Sequence, residues 1–95
     1  MKYEATFSDR TATRKSANTY TYAWRVVCKY DQVGFAGSEE KARRNSESEL
    51  AWQSGKASAI RSAKWQSRKQ ADAWIAEAEA KEKTAKIEIV EARIA

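Results

Sequence analysis

The sequence predicts an α+β fold: a two-layer sandwich in which a sheet of about four mainly antiparallel strands carries two helices on one face, in the order β-β-α-β-α-β. Three observations carry this expectation. Apolar and polar residues alternate with a period of two near the start and again over residues 19–30, the pattern of strands with one covered face. Two serines, Ser38 and Ser67, each stand before a stretch of helix-forming composition. The chain then closes on Ile87-Glu88-Ile89-Val90-Glu91-Ala92-Arg93-Ile94, rich in β-branched residues.

Taken in order, Tyr3, Ala5 and Phe7 alternate with Lys2, Glu4, Thr6 and Ser8, which places a first strand at about residues 2–9. Asp9 to Asn18 holds Arg10, Arg14 and Lys15 among Thr, Ser and Ala with no large apolar residue, so it reads as an exposed basic connection. Tyr20, Tyr22, Trp24, Val26, Cys28 and Tyr30 then share one face, opposite Thr19, Thr21, Ala23, Arg25, Val27 and Lys29. This long strand is expected to be the spine of the sheet, with Cys28 a small core residue on its covered face. Gly34 and Gly37 around Phe35 mark Asp31–Gly37 as a turn or short hairpin. Ser38 followed by Glu39 and Glu40 starts a first helix that runs to about Gln53, with a thin apolar stripe of Ala42, Ser46 and Leu50, and Ser54-Gly55 ends it. Ala57, Ala59, Ala63 and Trp65 alternate over residues 56–65, and a strand is expected there. Ser67 and Gln70 have capping-box spacing, and Ala71, Trp74, Ile75 and Ala78 repeat at i, i+3, i+4 and i+7, which gives a second helix over about 67–83. A strand ending in an aromatic (Tyr30, Trp65) before a serine-capped helix occurs twice, the outline of a repeated strand–helix unit.

Composition bounds what such a fold can do. The chain has 95 residues, enough for a single compact domain spanning 1–95, and 18 of its hydrophobic residues are alanine. A small core is possible and a deep substrate pocket is not expected. There is no His, so hydrolase triads and His-based metal sites are excluded, and one Cys gives neither an internal disulfide nor a four-thiolate zinc site. No cofactor and no metal are expected. No apolar run approaches the length of a membrane span, and Met1-Lys2-Tyr3-Glu4 leads into no apolar signal core, so the reading is a soluble protein of a reducing cytoplasm.

Charge is concentrated rather than spread. Net charge is +5, and residues 56–71 by themselves carry Lys56, Arg61, Lys64, Arg68 and Lys69 with no acid. Cations beside Trp65 are a composition that holds phosphates and stacks on bases, because the cations displace counterions and the ring offers a π-face. The same patch also fits a solvated or protein-facing rim. Trp52 and Trp65 lie at the ends of elements, outside a clean apolar period, and large aromatics of that kind are favoured interface anchors or end-caps of a small core. Other constellations are weaker. Gly34-Phe35-Ala36-Gly37 has the spacing of a backbone-clamping G-x-x-G loop but follows a strand instead of joining two helices. Glu47/Glu49 and Glu77/Glu79 are two apart and share no helix face, and Cys28 has no base beside it in the sequence to activate it as a nucleophile.

In general format the chain resembles the small phage-encoded antagonists of bacterial defence, of which the anti-CRISPR proteins are the best-known group: about a hundred residues, no cofactor residues, an α+β body and a charged surface. The resemblance rests on the character of the whole chain and on no motif. It implies a non-enzymatic, stoichiometric inhibitor that docks on a host protein or ribonucleoprotein complex handling nucleic acid and blocks access. The residues expected to meet that partner are Lys56, Arg61, Lys64, Trp65, Arg68 and Lys69, together with Arg10, Arg14, Lys15 and Trp52. The alternative is a direct nucleic-acid-binding module that uses the 56–69 cations on phosphates. No membrane partner is expected, and the protein is expected to be a monomer or a homodimer.

Overall fold

A computed structural model describes all residues, 1–95. The α+β class is as expected, but its layers differ. Ten elements follow one another: β1 (Lys2–Thr6), β2 (Thr11–Lys15), β3 (Tyr22–Val27), β4 (Asp31–Ala36), α1 (Glu39–Ser54), α2 (Lys56–Ser62), a 3₁₀ turn (Ala63–Trp65), α3 (Arg68–Lys83), β5 (Lys86–Glu91) and β6 (Arg93–Ile94). The strands form two three-stranded antiparallel sheets, β2-β1-β6 and β4-β3-β5, in place of one four-stranded sheet. β5 and β6 are successive halves of one path, and at the step between them the Ala92 N–H donates to Thr21 O at 2.9 Å.

The second sheet changes what the period of two means in β3. Tyr22, Trp24 and Val26 face α1, as the alternation predicted, and form a cluster with Ala36, Ala42, Leu50 and Ile89. Ala23, on the face expected to be solvated, is fully buried, because the sheet built on β1 covers it: Tyr3, Ala5, Phe7, Ala12, Ala23 and Phe35 make a second cluster between the sheets. The protein is thus layered sheet, sheet, helix, and its middle sheet is covered on both sides. Tyr20 leaves the predicted face and packs edge-on to Tyr3 at 5.4 Å between ring centroids.

Three local expectations are corrected. Residues 11–15 form an edge strand and not a loose connection, since Thr-rich backbone pairs with β1 through a tight turn closed by Phe7 N–H to Arg10 O at 2.7 Å, which needs only Ala12 to face inward. Asp31–Ala36 is a strand despite its glycine. Gly34 lies opposite Trp24, and a Cβ built there would sit 2.2 Å from the indole, so the residue is glycine because the ring lies across it. Residues 56–65 are helical and not a strand: the alternation was carried by alanine, the best helix former, and Gly55 at φ 90° turns the chain sharply from α1 into α2. With that strand gone, the repeated strand–helix unit is also absent.

The thin stripe of α1 proves to be a close-packing stripe. Ala42 and Ser46 are buried, and the Ser46 hydroxyl donates to Arg43 O within its own helix, so the helix can approach the rings of the middle sheet. At the other end of α1, Gln53 is buried and clamps the turn between β3 and β4. Its Oε1 accepts from the N–H groups of Cys28, Lys29 and Tyr30 at 3.0–3.2 Å, while Nε2 donates to Val26 O and to Glu49. Cys28, expected in the core, sits half-buried in that turn. Gln53→Ala leaves three N–H groups without their acceptor and is expected to cost about 2 kcal/mol, read as a fall of roughly 10 °C in the thermal midpoint. Hydrogen exchange at residues 28–30 accelerates with it, and an unchanged midpoint would mean that Gln53 does not hold the turn.

Candidate partner-binding site

The molecule is long for its size. Its radius of gyration is 15.7 Å and its extents are 51 × 25 × 18 Å, against a radius of about 12 Å for a compact chain of this length. The length comes from α2 and α3, an antiparallel helical arm. Ala59, Ala71 and Ala78 are its buried residues, small enough for the two helices to pack closely. At the base of the arm the Lys56 ammonium lies 3.4 Å from Glu79 and 3.6 Å from Glu82, and Glu82 also accepts from the Ser54 hydroxyl. The hydrogen bond to Glu79 and the field of both acids raise the Lys56 pKa, so it stays charged and compensated. Because α3 has 16 residues, it spans about 24 Å from end to end.

Those first residues and the turn before them form the tip. Ser67 caps α3 by accepting from the Gln70 N–H at 3.2 Å, and the 3₁₀ turn ends as Gln66 becomes extended, so Trp65 projects where neither helix can cover it. It is 75 % exposed, the most exposed large hydrophobic residue in the protein. The Lys64 ammonium lies 5.0 Å from its ring centroid. Arg61, Arg68 and Lys69 are exposed around it, and the one acid in contact is Asp72, 3.9 Å from Arg68. Lys69 and the part-exposed Trp74 border a shallow hollow of about 330 Å³. Four cations, an exposed ring and one weakly engaged acid can hold an anion and lay a flat apolar face on it.

Of the residues singled out from the sequence, Arg61, Lys64, Trp65, Arg68 and Lys69 are brought together at the tip. The others are not. Lys56 stays at the base. Trp52 is 57 % exposed and, with Tyr30 and Lys29, borders a separate cleft beside the β3–β4 turn. Arg10, Arg14 and Lys15 lie on the outer sheet, which the middle sheet separates from the helices. There Arg10 pairs with Asp31 at 3.2 Å and Arg14 stands 5.4 Å over the Tyr20 ring.

One charged group was missed from the sequence. Arg25 is buried between the sheets, where Asp31 holds it through two nitrogens at 2.9 and 3.0 Å, Glu88 lies at 3.2 Å and Asp9 is also bonded to it. Lys86 and Arg10 complete a ring of three acids and three cations. The hydrogen bond from Arg25 pulls the Asp31 and Asp9 carboxyls below their ordinary range. Burial pushes Glu88 the other way, but hydrogen bonding by the Ser8 N–H and hydroxyl, the charge of Lys86 and the hydrogen bond from Arg25 outweigh it, and its pKa too is lowered. Arg25 and its three acids staple the β1–β2 turn to the middle sheet. The signal in the sequence was an arginine inside the apolar run Ala23–Val27, which fits a strand covered on both faces better than one covered on one.

Compared with protein-family models, curated proteins and solved structures, the chain matches none. No helix is long and apolar enough to cross a membrane.

Proposed function

We propose that this is a non-enzymatic binding protein whose helical arm docks by its tip on an anionic surface of a nucleic-acid-handling complex and blocks access to it. The observation that carries this reading is Trp65, three-quarters exposed among Arg61, Lys64, Arg68 and Lys69. Leaving a large ring in water on a short turn is unfavourable for an isolated fold and is the arrangement of an interface anchor, with the cations steering approach. The sheets and α1 act as the base that holds the arm out. A second reading, direct binding of nucleic acid, is favoured by the free ring face beside Lys64, which suits stacking on a base.

Charge reversal tests the tip. Lys64→Glu with Arg68→Glu is expected to weaken partner capture from nuclease-treated bacterial lysate at least about tenfold, and to leave the thermal midpoint within about 2 °C because both side chains are solvated. Normal capture by that variant overturns the proposed site. Binding to arbitrary free oligonucleotides, lost steeply as salt rises, replaces the inhibitor reading with the nucleic-acid one.

A further inference from the structure

The two sheets are joined along one side and open along the other. On the joined side the β5–β6 path crosses from the middle to the outer sheet. On the open side β2 and β4 are both edge strands, and no ladder joins them. Arg10, Thr11, Ala12, Thr13 and Arg14 from one edge and Val33 and Phe35 from the other line a single hollow of about 360 Å³.

Hydrogen-bond parity fixes which main-chain groups face this seam. Met1 and Ser16 exchange bonds in both directions, and Phe7 N–H donates to Arg10 O, so along β2 the residues Arg10, Ala12 and Arg14 bond β1. Thr11, Thr13 and Lys15 therefore direct their N–H and C=O groups to the open side. At the far end of the β3–β4 ladder the Cys28 N–H donates to Tyr30 O, and just before β3 Thr21 O accepts from the Ala92 N–H, so even residues of β3 bond β4 and odd ones β5; Gly34 and Gln32 are therefore turned to β3, and Val33 and Phe35 face the seam. Strand direction agrees on both edges. Following the antiparallel pairs from β1 through β6 and β5 to β3, β2 and β4 run the same way, so one strand laid between them is antiparallel to both.

We propose that this seam is a strand-insertion site for an extended acidic segment of a partner protein, about five residues long, with small apolar residues at alternate positions. Backbone groups on both edges supply hydrogen bonds. The apolar floor of Ala12, Val33 and Phe35 receives the inward side chains, which must be small because the floor is already close-packed. No acid lines the hollow, and of its two cations Arg10 is shared with Asp31 while Arg14 has no acid beside it, so Arg14 is the charge that selects for a negative segment. A second copy pairing through β2 would set two runs carrying Arg10, Arg14 and Lys15 against each other, so the occupant is a different chain. The site lies across the middle sheet from the arm and does not rest on the function proposed for the tip.

The probe is a blocked heptapeptide of alternating Glu and Val, beginning and ending with Glu, added to the full chain and followed by amide exchange in NMR spectra. At roughly 1 mM peptide exchange is expected to slow several-fold at Thr11, Thr13, Lys15, Val33 and Phe35, and the same peptide with Lys for Glu has no such effect. Thr13→Pro removes an outward donor without touching the β1 ladder and is expected to weaken binding about tenfold. Should that variant unfold, Arg14→Glu on the native backbone gives the same readout. No slowing at these amides, equal slowing by the Lys peptide, slowing confined to residues 61–69, or peptide-free slowing that grows with protein concentration would each overturn the proposal, the last by making the occupant a second copy.

Discussion

Replacing Arg25 with methionine lowers the thermal midpoint at pH 7 by about 20 °C, a larger effect than is expected of Gln53→Ala or Gly34→Ala. Methionine fills much of the same space, so the loss is electrostatic: Asp9, Asp31 and Glu88 are left facing one another without the guanidinium that holds them. The pH dependence separates this cause from lost packing. In the native protein these three carboxyls have lowered pKa values, so the stability they contribute is complete above their unfolded values near 4 and is lost as the pH falls through the depressed ones. In Arg25→Met the carboxyls repel and are relieved by protonation. The gap between native protein and variant, followed by calorimetry from pH 7 to pH 3, is therefore widest near neutrality and narrows below about pH 4. A gap independent of pH would mean that the arginine acts by filling space alone.

Gly34→Ala is the second. One methyl group on an edge strand is ordinarily tolerated, but here it would stand 2.2–2.6 Å from three atoms of the Trp24 indole, a rigid ring held between the middle sheet and α1. Either the ring or β4 must move, and overpacking of this kind is expected to cost about 3 kcal/mol. The cause is checked by a double-mutant cycle. In a Trp24→Leu background the methyl group has room, and the same alanine should cost less than about 1 kcal/mol. The indole Nε1 has no hydrogen-bond partner within the protein, so removing the ring breaks no polar contact between residues and leaves the cycle a measure of packing. Equal costs in the two backgrounds would place the glycine requirement in the backbone and not in the ring.

Both residues show why the sequence was legible in some places and opaque in others. α1 and α3 could be read because their signals are local: Ser38 and Ser67 accept from the N–H three residues on, and Gly55 ends the first helix in the left-handed conformation. The cations and the ring of the tip were legible as a cluster, since Arg61, Lys64, Trp65, Arg68 and Lys69 are neighbours in the chain, but their place on a projecting turn was not, because a strand was expected over 56–65. Gly34 was misread as a turn because its reason lies on another strand. The strand expected over 56–65 failed because alternating alanines carry too little hydrophobic area to distinguish a period of two from a helix.

The sequence alone determined the α+β class, the two capped helices, the terminal β-branched run and the basic, aromatic stretch that becomes the tip. Only the tertiary structure decided that a second sheet covers the face of β3 carrying Ala23 and Arg25, that Gln53 ties α1 to the β3–β4 turn, and that β2 and β4 face each other across an open seam. Caps and charge runs are set by residues a few positions apart. Whether the far face of a strand meets water or another sheet is settled by partners tens of residues away, and a period of two is the same in either case.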